Sequence, residues 1–138
     1  MDIDECFRKG LIKKTRVDEG HVKSLIEMAD IKEDTVLHAT IDERNISAYF
    51  SLAYDSLRET LEALCILKGY KVLSHVCLGE LLNDLLDTFE YEEFDRVRWI
   101  RNGINYYGKK VEHQQGKEII NKIFKMKKRI QEKYLTFQ

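Results

Sequence analysis

Proline is absent from all 138 residues, against an average usage of about 5%. Proline removes a backbone donor and clashes with the preceding helical turn, so a chain without it can hold long unbroken helices. Cysteine is sparse. Cys6, Cys65 and Cys77 show no CxxC spacing and no histidine pair completes a tetrahedral set, so no metal site is expected. Cys65 lies in an apolar run and reads as a small core residue. No apolar stretch nears the roughly 20 residues that a membrane-spanning helix needs, and no signal-like apolar region precedes the acidic start MDIDE. The expectation is a soluble, cytoplasmic chain with reduced thiols, no membrane contact and no cofactor. Excess charge is missing too. The 23 Lys and Arg against 24 Asp and Glu leave a net charge of -1, which excludes coating of nucleic acid by bulk electrostatics and leaves only a local patch. Period-two alternation, the mark of strands, is found nowhere.

What the chain has is helical periodicity, with 43% hydrophobic residues, enough to exclude a disordered chain. Asp2 to about Lys14 reads as a short amphipathic lead-in, with Ile3, Phe7 and Leu11 on one face and the small basic cluster Lys13, Lys14 and Arg16 after it. Asp18 suits the N-cap of one long helix to about Ala39, with room for an irregularity near Asp30. From Ile46 to Leu67 the polar positions Ser51, Asp55, Arg58, Glu59 and Glu62 form a narrow stripe on an otherwise apolar helix, which belongs at the centre of a bundle. Tyr49 and Tyr54 read as packing residues, and Gly69 as the stop. Ser74 can cap a helix to about Thr88, with His75 structuring the GYKVLSH connection. TFEYEEFD reads as an acidic connection ending in a cap at Asp95. A last helix from about Val111 to Tyr134 carries Lys122, Lys125, Lys127, Lys128 and Arg129 on a solvated face, the best phosphate track outside the motif described next. Residues 1–138 are expected to form one domain, with 1–17 as its lead-in. The fold class expected is all-α, an up-and-down antiparallel bundle of four to five main helices.

One stretch departs from this ordinary pattern: RWIRNGINYYG, Arg98 to Gly108. At about 100° per residue, Arg98, Arg101, Asn102, Asn105 and Lys109 share one side, with Tyr106 at its edge. Val97, Ile100, Ile104 and Tyr107 fall opposite and should face a core. A polar stripe is ordinarily a solvated face. Here, however, Asn102, Gly103 and Asn105 are poor helix formers, and a mid-helix glycine costs roughly 1 kcal/mol. Close helix approach and ligand access are the usual reasons for that cost. Guanidiniums and carboxamides together suit an anionic, hydrogen-bond-rich partner.

The segment AYFSLAYDSLRETLEALCILKGYKVLSH followed by RWIRNGINYYG resembles a HEPN domain, a helical bundle of prokaryotic defence and toxin–antitoxin systems, over roughly Asp18 to Tyr134. Members commonly carry an arginine, often followed by a polar residue, and a histidine about a turn further on. In active members two such motifs meet across a homodimer and cut RNA without metal. The resemblance implies that Arg101 is the arginine and Asn102 the polar residue. Tyr106 stands where the histidine would be, and His113 lies beyond a glycine. Tyrosine titrates near 10 and histidine near 6.5, so the replacement alters proton transfer at neutral pH. Some members pair with a small nucleotidyltransferase that modifies a tyrosine two residues past the histidine; here that position is Gly108. The resemblance therefore implies a homodimer that binds RNA, a nucleotide or a partner protein through Arg98, Arg101, Asn102, Asn105, Tyr106 and Tyr107. A metal-independent ribonuclease using Arg101, Asn102 and Tyr106 is the alternative, and a purely structural adaptor the third reading.

Overall fold

Of the 22 residues from Ile46 to Leu67, thirteen are buried, and every other helix but the short first one packs against the helix they form. The computed structural model describes residues 1–136. Its elements are α1 (Ile3–Arg8), β1 (Ile12–Lys14), α2 (Glu19–Leu37), α3 (Ile46–Leu67), β2 (Tyr70–Val72), α4 (His75–Leu85), α5 (Tyr91–Tyr107) and α6 (His113–Tyr134). Helix makes up 71% of the structure, so the all-α class holds. One apolar cluster joins Cys6, Val36, Phe50, Leu57, Leu61, Leu81, Phe94, Val97, Ile123 and Ile130. A smaller one, Val22, Ala63 and Ile66, seals α2 against α3.

The caps explain several boundaries. Asp18 accepts from the His21 amide at 3.0 Å and starts α2, which runs through Asp30 as one long helix, without an irregularity there, and ends at Leu37. Ser74 accepts from the Cys77 amide and starts α4, which stops at Leu85, short of Thr88, as Leu86 turns extended. Glu112 accepts from the Gln114 and Gln115 amides at 2.9 and 2.7 Å and starts α6. Gly116, in the first turn of α6, is needed for packing. A Cβ there would lie 2.5 Å from Val111 and 2.7 Å from Ile46.

Five further expectations are corrected. The lead-in helix ends at Arg8, because Gly10 takes a left-handed φ of 71° and turns Leu11 out of the helix. The chain then enters a strand, so the structure does contain a small sheet: β1 pairs antiparallel with β2, Ile12 opposite Val72 and Lys14 opposite Tyr70. Three-residue strands are too short to show an alternation, which is why periodicity missed them. Asp95 is not a cap. The acidic segment is itself the first turn of α5, with Glu92 and Glu93 placed where carboxylates favour the dipole. Lys127 is not on the solvated face of α6. It is fully buried, and its ammonium donates to Asp30 at 2.6 Å, Glu33 at 2.7 Å and Gln131 at 3.1 Å. All three donors are thereby matched, the condition for keeping a cation in an interior.

The thiols are the fifth. Cys6 of α1 and Cys77 of α4 form a disulfide across a sequence separation of 71 residues. The β1–β2 pairing carries α1 back against α4, a long-range proximity that spacing along the chain does not reveal. Reduced thiols throughout are thus not what the structure has, since only Cys65 is free. Thiol titration of the denatured, unreduced protein should find one reactive group, and three after reduction. In the folded protein Cys65 should react slowly, because burial pushes its thiol up to about 12. Three thiols before reduction would contradict the pairing.

Candidate functional site

Helix α5 is fixed at both ends. Tyr91 donates to Glu80 of α4 at 2.6 Å. After α5, Gly108 adopts the left-handed φ of 65° that closes the helix, and Ser47 of α3 accepts from the Val111 amide at 2.9 Å. Phe94 and Val97 are buried, which turns the C-terminal half of α5 so that Arg101 faces α3.

The expected stripe is therefore split. Arg98, Arg101 and Asn105 turn inward or along the α3 side. Arg101 lies over the ring of buried Tyr54, its guanidinium carbon 5.4 Å from the centroid. The Asn105 carboxamide is oriented by its partners. Its oxygen accepts from Arg101 Nη2 at 3.1 Å and Nε at 3.0 Å, and its nitrogen donates to Ser51 Oγ at 3.0 Å. Arg101 Nη2 also approaches Asp55 at 3.5 Å, a loose contact beside the 2.7–2.9 Å usual for charge-assisted bonds. The Nη1 donors take no part in these bonds. Arg98 donates to Asp95 through Nε at 3.1 Å and Nη2 at 2.8 Å. Asn102 is half-buried. Tyr106 and Tyr107 are 71% and 75% exposed. Tyr107 thus leaves the core side assigned to it, on the side of the last turn away from the bond between Asn105 and Ser51.

Sequence reasoning missed half of this cluster. Arg58 of α3 pairs with Glu62 at 2.8 Å and approaches Asp55 at 3.7 Å, while its Nε is buried without a partner. His75, the first residue of α4, meets the Tyr54 hydroxyl through Nδ1 at 3.1 Å. Burial, and then the Arg58 and Arg101 charges, lower the His75 pKa to about 4, so the imidazole is neutral at pH 7. Burial also holds the Tyr54 hydroxyl in its protonated form. The signal for Asp55 and Arg58 was available: polar residues on a helix buried nearly all round must meet polar residues of another helix. Trp99, 64% exposed beside Arg98, was missed because no partner stripe marked it.

No known family matches this chain, and neither does any curated protein or solved structure. The site's chemistry therefore rests on its own geometry. Three guanidiniums (Arg58, Arg98 and Arg101) surround Tyr54 and His75, offset by Asp55, Glu62 and Asp95. That arrangement can exchange a loosely held carboxylate for an incoming phosphate oxygen.

The depressed His75 pKa has a consequence for stability. Between pH 6.5 and about 4 the unfolded chain binds a proton at His75 that the folded chain refuses. Stability contributed at pH 7 is therefore lost as pH falls through that window. The loss should be about 1–2 kcal/mol once solvent screening at this part-exposed residue is allowed for. His75→Gln should flatten that part of the profile in pH-dependent urea unfolding. An unchanged slope would show that His75 titrates normally.

Proposed function

We propose that this chain is a HEPN-like, up-and-down helical bundle that binds RNA or a nucleotide as a homodimer, with α5 holding the phosphate. The observation that carries the reading is the preorganised Arg101. Its guanidinium is held over Tyr54 and bonded by Asn105, so little side-chain entropy remains to be lost on binding, and its Nη1 edge is left for a ligand. Asp55, 3.5 Å away, keeps the empty site near neutrality. Tyr106, at the position the resemblance gives to histidine, is exposed and offers a ring for stacking an unpaired base. A toxin–antitoxin or defence setting and a small nucleotidyltransferase partner follow from the resemblance alone.

His75 favours metal-independent RNA cleavage as a second reading. In that reading its Nδ1–H donates to the Tyr54 oxygen, leaving the Nε2 lone pair to take the 2′-hydroxyl proton. The 2′-oxygen then bonds to phosphorus, the bond to the 5′-oxygen breaks, and water supplies the proton to that leaving oxygen. Arg101 would stabilise the charge that develops on the phosphate. An imidazole from α4 would stand in for the histidine missing from the motif.

Arg101→Ala should weaken binding of a single-stranded RNA by roughly tenfold or more, and Arg101→Lys should restore little of it, because a point charge cannot bond Asn105 and phosphate together. Fluorescence anisotropy with a labelled oligonucleotide in EDTA reads the affinity. Equal affinity of Arg101→Ala and the parent would reject the phosphate role. In the same samples, cleavage by the parent but not by His75→Ala would put the ribonuclease reading first.

A further inference from the structure

The other side of α5 carries a feature that the arginine cluster does not use. A cleft of about 490 Å³ lies between α5 and the start of α6, within the range of roughly 300–1,000 Å³ typical of small-ligand sites. Trp99 and Tyr107 stand along it, Gly103 and Ile100 line it between them, and Lys109 and Lys110 complete its rim. Building on the RNA-binding reading, we propose that this cleft takes one nucleotide of a single strand, its base against Trp99 and Tyr107 and its phosphate on the two lysines.

Three observations support it. First, Trp99 and Tyr107 are 64% and 75% exposed, two large rings about two turns apart along a cleft that nothing among the described residues covers. A lone exposed apolar residue is ordinary, whereas two lining one cleft mark a contact surface. Second, Gly103 is unexplained by the chain's own packing. A Cβ there would meet only the Lys109 side chain, at an ordinary 3.5 Å, so close helix approach is not its purpose. The residue that an alanine would replace at a gain in helix stability is the one whose missing side chain keeps the cleft open. Third, the charge at the cleft is positive in a chain of net charge -1. Its one carboxylate, Glu112, is committed to the amides of Gln114 and Gln115.

These features choose among occupants. A flat, anionic ligand satisfies the rings and the amines together, and only an unpaired base can enter such a cleft. A second copy docked about a two-fold axis through the cleft would set Lys109 and Lys110 against themselves, so self-association is disfavoured here.

Trp99 is the chain's single tryptophan and reports on the cleft directly. The test titrates the full chain with a short single-stranded RNA in EDTA. It reads Trp99 emission and, on a labelled copy of the same RNA, anisotropy, with sedimentation of every variant. Emission should be quenched, saturating at the concentration at which anisotropy saturates. Gly103→Ala should raise the melting temperature yet weaken quenching roughly tenfold, the loss expected of one stacked nucleotide, and Lys109→Ala with Lys110→Ala should weaken binding about as much through the lost phosphate contacts. Rising anisotropy with unchanged emission would overturn the cleft while leaving RNA binding by the arginine face intact. No change in either signal would overturn both readings. A dimer that dissociates on Trp99→Ala would make the cleft an interface between copies and overturn the proposal as well.

Discussion

A helix buried over most of its circumference has to find partners for nearly all the polar groups it carries, because an unpaired one away from water costs about 1–3 kcal/mol. That constraint organises this protein. On α3, Ser56 donates to the Ala29 carbonyl at 2.6 Å, Glu59 pairs with Lys32, Arg58 takes Glu62, and Ser51 and Asp55 turn to Asn105 and Arg101. The first two bonds set α2 against α3, and the last two set α5. The relation of α2 to α6 obeys the same rule through Lys127, whose three donors find Asp30, Glu33 and Gln131. Apolar packing supplies the bulk of the driving force, but these pairings make one arrangement of the helices better than its neighbours.

The same requirement shapes the candidate site. Arg101 is positioned by the need to satisfy Asp55, Ser51 and Asn105, so the groups that fix the fold are also those that would meet a phosphate. The loose contacts around Asp55, at 3.5 Å to Arg101 and 3.7 Å to Arg58, mark where the structural network ends and exchange with a ligand becomes cheap. On the far side of α5, where no such obligation exists, Trp99 and Tyr107 remain exposed. One helix thus carries a preorganised cationic face and an uncommitted aromatic one.

Much of this was legible in the sequence, unevenly. The bounds of α3 follow directly from its apolar run, and the Asp18 and Ser74 caps from single side chains. Arg101 and Asn105 were visible from helical spacing. The direction in which each side chain turns was not, because spacing places residues on a cylinder but does not say which neighbour lies against it. Hence Tyr107 was assigned to a core that stops short of it, and Lys127 to solvent. His75 and the Cys6–Cys77 pair were missed for a related reason. The disulfide depends on α1 being brought to α4 by the short β1–β2 pairing, and the His75 contact on how β2 turns α4 back against α3; neither is encoded in a pattern local to one segment.

The central claim is that α5 binds one strand with both faces, phosphate on Arg101 and base on Trp99. The most direct measurement follows the Arg101 Nε–H and Trp99 indole N–H signals by NMR during titration with a short single-stranded RNA. Both signals should shift and saturate together at one RNA per chain, with Arg129 of α6, tied to Glu90 at the N-cap of α5, left unmoved. Perturbation centred on α6 and its lysines, with Arg101 and Trp99 unchanged, would contradict it.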